Sequence, residues 1–546
     1  MKFNHKRYCY LVSFILSLYS IDLIAQVDFT SSNIPIVIID TDGQEILDNP
    51  RIKANMRVIY NGEGIRNHIN DTVHSYDGQI SIEVRGSTSQ SFDKKQYGIE
   101  TQLSDGSNNN VSLIGLPSEN DWILSAPYSD KSLIRNILTY HISEKLGYYA
   151  PRTKLCEVVL NGVYVGVYVL TEKIKRDDNR VDVSKLENDE ISGDDVTGGY
   201  ILKIDKVSGN SCDSILTTDI GKIRVQYEYP SCDIITPEQK LYINTYINRF
   251  EEALYSDYYT DTEIGYRKFL DDDSFINYFI CSEVSKNIDA YRLSTFLYKD
   301  KESNFGKLNF GPVWDYDIAY GNVDFLEGNT TQGLIASRTT SIHQDEFTPN
   351  PWVSRLLEDT SLTNAIKERW LQIRENELTN ESIINMIDSL AFVLEEPQER
   401  NFLKWDILNR RIWPNFYVGA SYNDEIRFLK SWLINRLNWL DNNIPGNYED
   451  YSTFVDYEAT IFPNPFDYFF TFIFSIEEES NITLSLVGPN GRLITYIIDN
   501  ETYENGEHIL TWNSYISNNL LPSTFYILIL EVNDQIVYKE TIIKKL

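Results

Sequence analysis

Histidine, methionine and cysteine are scarce in this 546-residue chain, at six, three and five residues. The cysteines stand at 9, 156, 212, 232 and 281 and the histidines are scattered, so the paired spacings of a zinc site do not occur. Basic residues are also in deficit, 49 against 80 acidic ones, for a net charge of −31. A surface that wraps nucleic acid or lies on an anionic membrane must be basic, so both classes are excluded, and the acidic surface serves solubility. Past the N-terminus no segment offers the roughly 20 apolar residues that a spanning helix needs. There is no low-complexity run and no internal repeat.

What the chain does have is apolar mass. With 42% hydrophobic and 13% aromatic residues it can bury a large core, and its length allows two or three domains. It opens "MKFNHKRYCYLVSFILSLYSIDLIAQVDF": a basic segment, an apolar run and a small residue before a polar start. That layout predicts a secretory signal peptide over 1–25, cut after Ala25. In an oxidising compartment Cys212 and Cys232, at the ends of the hairpin-like "ILTTDIGKIRVQYEYP", are either bridged or two buried thiols.

The first part of the mature chain reads as strands: "IPIVIID", "ISIEVRG" and "KKQYGIE", then "KLCEVVL" and "VYVGVYVLTE" joined by the turn Asn161-Gly162. One helix interrupts them across "KSLIRNILTYHISEKLG", with Asp130 as its predicted cap and Gly147 as its stop. The next part is helical. Thr236, Pro237 and Gln239 form a capping box at the head of one helix, and "DSFINYFICSEVSK" forms another. From 350 to 445 apolar residues recur at helical spacing. The last ninety or so residues alternate short strands with Pro, Asn and Gly turns, the pattern of a small β-sandwich, with a boundary near Tyr451.

The chemistry lies in carboxylates. "NFGPVWDYDIAYGN" sets Asp315 and Asp317 one residue apart in an apolar run, and a hairpin through "STFLYKD" can return the chain to Asp289. Three carboxylates at one end of a sheet repel one another unless a cation neutralises them, and Mg²⁺ with substrate phosphates is the usual partner. One left free of the metal can take the proton of an attacking hydroxyl. Taken singly, the pair reads equally as a strand-ending turn, and Asp289 as a loop residue after a helix. "EVRGSTSQSFDKKQYGIE" offers phosphate donors in Ser87, Thr88 and Ser89 and positive charge in Arg85, Lys94 and Lys95. The loop matches neither common glycine-rich phosphate motif, and Arg85 suits a structural ion pair as well.

In chain order, "EVRGSTSQSFDKKQYGIE", "WILSAPYSDKSLIRNILTYHISEKLG", "LNGVYVGVYVLTEKIK", "GGYILKID", "NIDAYRLSTFLYKD" and "GPVWDYDIAYGN" together resemble the CotH family of secreted atypical kinases, over residues 35–445. The resemblance implies an α+β, two-lobed protein-kinase-like fold within 26–450, with a strand-rich N-lobe (35–205) and a helical C-lobe (206–447). It implies binding of ATP with Mg²⁺ and phosphorylation of hydroxyls on exported or cell-surface proteins or glycans. Carried over by position, Asp289 is the catalytic aspartate, Asp315 the main metal ligand and Asp317 its neighbour. Arg85 with Ser87, Thr88 and Ser89 forms the loop over the phosphates, Lys94 or Lys95 meets them, and Glu172 lines the nucleotide pocket. Neighbouring strand residues face opposite ways, so only one of the two lysines points inward.

Residues 451–546, with "IFPNPF", "NGRLI", "GEHILTW" and a terminal "KKL", resemble the C-terminal sorting domain of the type IX secretion route of Bacteroidetes, with Phe462 at the usual tyrosine position. This implies export through the periplasm by that machinery and release or attachment at the cell surface. Two other readings stay open: a catalytically silent surface adhesin on the same fold, and a metal-dependent glycosyltransferase or hydrolase using the D-x-D pair.

Overall fold

The Asn161-Gly162 turn forms as expected: both residues are left-handed, at φ 49° and 75°, the backbone that a tight hairpin requires. The structure is a computed structural model that describes residues 27–72, 74–206, 215–338, 350–447, 459–488, 493–516, 519–522, 524–533 and 535–545. The expected signal peptide and Cys212 lie outside these residues. Cys232 is disulfide-bonded, whereas Cys156 and Cys281 are free, buried thiols. By internal packing the chain forms two units, 1–356 with 373–443, and 357–372 with 444–546. Among the described residues no helix is long and apolar enough to cross a membrane.

The first unit begins with a closed barrel. Its strands are β1 (Ile36–Asp40), β2 (Ile52–Ile59), β3 (Tyr76–Arg85), β4 (Gln96–Gln102), β5 (Asp121–Ser125), β6 (Thr153–Leu160) and β7 (Val163–Glu172). They run in the order β1-β2-β3-β4-β5-β7-β6, and β6 closes on β1 in parallel. Period-2 alternation points Ile80, Ile82, Ile99, Trp122, Leu124 and Leu170 into one core. Between β5 and β6 lies helix α1 (Arg135–Lys145). It starts later than the predicted cap at Asp130 implies. The Asp130 carboxylate accepts from the Ser132 N–H at 3.0 Å and the Arg135 N–H at 2.9 Å, and Leu133 turns left-handed at φ 65°. The side chain thus holds a turn ahead of the helix instead of sitting at its N-cap. At the other end Gly147 takes φ 90°, with Gly147 N–H on Glu144 O and Tyr148 N–H on Ser143 O, a Schellman stop.

A five-stranded antiparallel sheet follows: β8 (Tyr200–Ile204), β9 (Ile215–Thr217), β10 (Arg224–Tyr229), β11 (Thr295–Lys299) and β12 (Leu308–Phe310), in the order β9-β10-β8-β11-β12. Helix α2 (Pro237–Tyr255) carries the expected capping box of Thr236 and Gln239. Helix α3 (Asp272–Ser285), capped by Asp271, is buried on nearly every side. Residues 351–443 are mostly helical: α4 (Pro351–Leu356), α5 (Thr360–Glu375), α6 (Asn380–Val393), α7 (Glu395–Lys404) and α8 (Tyr422–Asn443). Helix α7 completes the barrel. Arg400 pairs with the fully buried Glu157 of β6 at 2.5 Å, and Trp405, just after the helix, donates its indole N–H to Val165 O at 2.9 Å.

In the second unit the strands are β13 (Ala459–Phe462), β14 (Phe469–Ile476), β15 (Ser480–Val487), β16 (Leu493–Tyr503), β17 (Gly506–Asn513), β18 (Phe525–Val532) and β19 (Gln535–Ile543). One antiparallel sheet has the order β13-β14-β17, the other β16-β15-β18-β19. Phe470, Phe472 and Phe474 of the first share a core with Ile482, Leu484 and Leu528 of the second.

Candidate functional site

Helix α1 holds the loop that carries the aspartate pair. Its Asn136 Oδ1 accepts the Tyr316 N–H at 2.5 Å, Arg135 Nε donates to Ala319 O at 3.1 Å, and the Thr139 hydroxyl meets the Tyr320 hydroxyl at 2.7 Å. Tyr140 stacks on Trp314 with ring centroids 6.2 Å apart. From the end of α3 a second loop approaches. Asn287 donates its amide to Asp315 O at 3.4 Å, and its Oδ1 accepts the Asp289 N–H at 3.1 Å. One buried asparagine therefore ties the Asp289 loop to the Asp315 loop. Asp315 itself is held left-handed at φ 68°, a backbone that costs a non-glycine residue energy and that functional loops retain.

The carboxyls feel one another. Burial pushes Asp315 up to about 6, and the charges of Asp289 and Asp205 add to that, against Arg85 and a hydrogen bond from Ser294. Burial likewise raises Asp317 well above the usual range, with Asp315, Asp130 and Asp289 contributing. Asp289 is raised by burial and by Asp205, and is held back by its ion pair with Arg292 and by Lys206. Yet Asp315 is exposed, and Asp317 and Asp289 are partly so. Carboxyls crowded by protein on most sides and wet on one stand in a recess. Like charges gathered there without neutralisation are what a divalent cation relieves.

The structure thus brings Asp289, Asp315 and Asp317 together, with Arg85 beside them at the end of β3. The Arg85 guanidinium lies 5.6 Å from the Trp314 ring, and burial lowers its pKa while the Asp315 charge raises it. Ser87, Thr88 and Ser89 form the exposed and half-exposed start of a short 3₁₀ turn after Gly86. Lys95 spans that turn, donating to Gln90 O at 2.7 Å and Phe92 O at 2.6 Å.

The other two expected site residues engage elsewhere. Lys94 is 1% exposed and donates to Val167 O at 2.5 Å and to Asn401 Oδ1 of α7 at 2.9 Å. Burial lowers its ammonium to about 7. Glu172, fully buried at the end of β7, accepts from Arg152 Nε at 3.0 Å and from the Tyr149 hydroxyl at 3.1 Å.

Sequence reasoning passed over Asp205, Asn287, Asn136 and Ser294. Asp205 directly follows β8, whose pairing with β11 sets Ile204 opposite Thr295, near the Asp289 loop. Its only signal was its place closing "GGYILKID". Among the described residues no group of three or more Asp, Glu, His or Cys side chains is close enough to hold a metal by itself. A Mg²⁺ site needs no such cage, because one or two carboxylates with substrate phosphates and water complete it. Asp315 and Asp317 fit that requirement.

Residues 82–440 match a family model described as CotH kinase protein. No curated protein matches the chain. Among solved structures, Pseudomonas fluorescens alkylpurine DNA glycosylase AlkC, bound to DNA containing an abasic site analogue, is similar at 8% identity. That match covers 35% of this chain and 54% of the other at a TM-score of 0.14, too low to say anything of fold or activity.

Proposed function

This chain belongs to the CotH kinase family, and from that premise we propose that its first unit is a two-lobed, kinase-like enzyme transferring the γ-phosphate of ATP to hydroxyl groups. The observation that carries the reading is the mutual crowding of Asp289, Asp315 and Asp317 in a recess with Arg85 at its edge. Asp315 and Asp317 hold Mg²⁺, which supplies charge neutralisation on the phosphates when bound. Asp289, which Asn287 keeps in register with Asp315, orients the acceptor hydroxyl and takes its proton. Arg85 faces the phosphates, Ser87 to Ser89 offer hydroxyls and N–H groups above them, and Lys95 acts by holding that turn in shape. Glu172 supports the pocket wall through Arg152 and Tyr149.

The N-terminal segment then acts as a signal peptide and residues 451–546, read as a β-sandwich, as the sorting module of type IX export. Acceptors are accordingly exported or surface proteins or glycans. One observation favours a second reading, a silent binding module on the same fold: the buried Lys94 is spent on Val167 and Asn401.

The deciding experiment is thermal unfolding with Mg²⁺ and ATP, and with Mg²⁺ and a sugar nucleotide, for wild type and Asp315→Ala. A rise with ATP alone, lost in Asp315→Ala, together with phosphoryl transfer lost in Asp289→Ala, supports the kinase. No rise with either nucleotide favours the silent module, and a rise with the sugar nucleotide alone favours a glycosyltransferase.

A further inference from the structure

The segment after β12, which leads into Trp314 and Asp315, is also a wall of a cavity of about 170 Å³. Gly311, Pro312 and Val313 form that wall. Tyr148 and Tyr149 after α1, Tyr278 of α3, Phe310 and Arg180 form others. None of Asp289, Asp315, Asp317 or Arg85 lines it.

Arg180 is the group whose bonding is incomplete. It is 3% exposed, its guanidinium lies 5.1 Å from the Trp122 ring, and its Nη1 donates to Lys173 O at 2.9 Å. Its Nη2 is buried with no hydrogen-bond partner among the described residues. An arginine donor left so is costly, and an incoming acceptor removes the cost.

Charge points the same way. Arg180 lies 3.9 Å from Glu172, which Arg152 already pairs at 3.0 Å. The neighbouring Asp121 and Glu119 are taken by Lys175, with Lys173 also 3.8 Å from Asp121. Arg180 thus shares a single carboxylate with a closer cation. Asp182, at the rim, is exposed to water. Asp271 and Asp273 act on the Tyr148 end, which sets an anionic head at the Arg180 end and an uncharged body away from it.

We propose that this cavity binds a small aromatic carboxylate, its carboxylate on Arg180 and its ring against Phe310 and Val313. The size suits one six-membered ring with a substituent, since a cavity of about 150 Å³ takes benzene.

The test is thermal unfolding of the full chain with benzoate and with its uncharged isostere benzamide, at up to about 10 mM. Benzoate is expected to raise Tm by a few degrees and to saturate, whereas benzamide leaves it unchanged. Arg180→Gln is expected to abolish the benzoate shift. Val313→Phe, which fills the cavity from the wall of Gly311, Pro312 and Val313 and leaves Arg180 in place, is expected to abolish it too, each variant first checked for native near-UV circular dichroism. The shifts with benzoate and with Mg²⁺ and ATP are expected to add. Equal shifts with both probes, a benzoate shift kept in either folded variant, no benzoate shift in wild type, or displacement of benzoate by ATP overturns the proposal. None of these outcomes bears on the phosphoryl-transfer reading, whose readout is Asp315→Ala.

Discussion

Asn136 accepts the backbone N–H of Tyr316 at 2.5 Å, so a side chain of α1 fixes the peptide between the two aspartates of the D-x-D pair. Tyr316 is itself 1% exposed and has no water to turn to. Replacing Asn136 by Ala leaves a buried donor unpaired, at a cost of about 1–3 kcal/mol. Urea unfolding is expected to show that loss, and the Mg²⁺ and ATP shift in Tm to shrink more than the loss in stability accounts for.

Asp315 and Asp317 predict a pH dependence of unusual sign. Their folded pKa values lie above the unfolded value of 3.8, with Asp315 at about 6 and Asp317 also raised well above its usual range. The folded state therefore binds more protons than the unfolded state across this range, so stability is full below 3.8 and falls as pH rises through 6. Without Mg²⁺, Tm is expected to decline over that window. Asp317→Asn flattens the decline, and added Mg²⁺ opposes it more strongly at higher pH.

Lys94 predicts a slope of the other sign at alkaline pH. Its ammonium is lowered from 10.5 to about 7, so the unfolded state holds the extra proton between those values and stability rises with pH there. The slope is at most about 1.4 kcal/mol per pH unit. Lys94→Met removes it. Because Lys94 engages Val167 and Asn401, the response to Mg²⁺ and ATP is expected to survive the substitution. Loss of that response in a folded variant would give Lys94 the phosphate role.

Glu172→Ala is expected to destabilise strongly. The carboxylate is fully buried between Arg152, Arg180 and Tyr149, and its removal strands a buried cation at about 3–5 kcal/mol. Arg152→Ala, whose side chain is 34% exposed, is expected to cost less in the same urea titration.

Local features were legible in the sequence because they are written in neighbouring residues. Thr236, Pro237 and Gln239 name their helix start, and Asn161-Gly162 names its hairpin. The start of α1 was misplaced because Asp130 spends its carboxylate on Ser132 and Arg135 in a turn that no propensity describes. The Asp289, Asp315 and Asp317 grouping was readable through one hairpin, β11 to β12. Asp205 was not, because it joins them through the β8 to β11 register across about ninety residues of chain. Nor could the sequence say that Lys94 would meet Asn401, since that contact spans 307 positions.

That last contact has a consequence for the order in which the molecule comes into being. Lys94, just before β4, and Glu157 of β6 are buried, and Asn401 and Arg400, which bond them, belong to α7. A chain emerging from its N-terminus has all seven barrel strands available by residue 172, more than two hundred residues before α7 exists. During that interval Lys94 has Val167 O but not Asn401, and Glu157 has no Arg400 to neutralise it, so the nascent barrel stays provisional until α7 arrives and locks it.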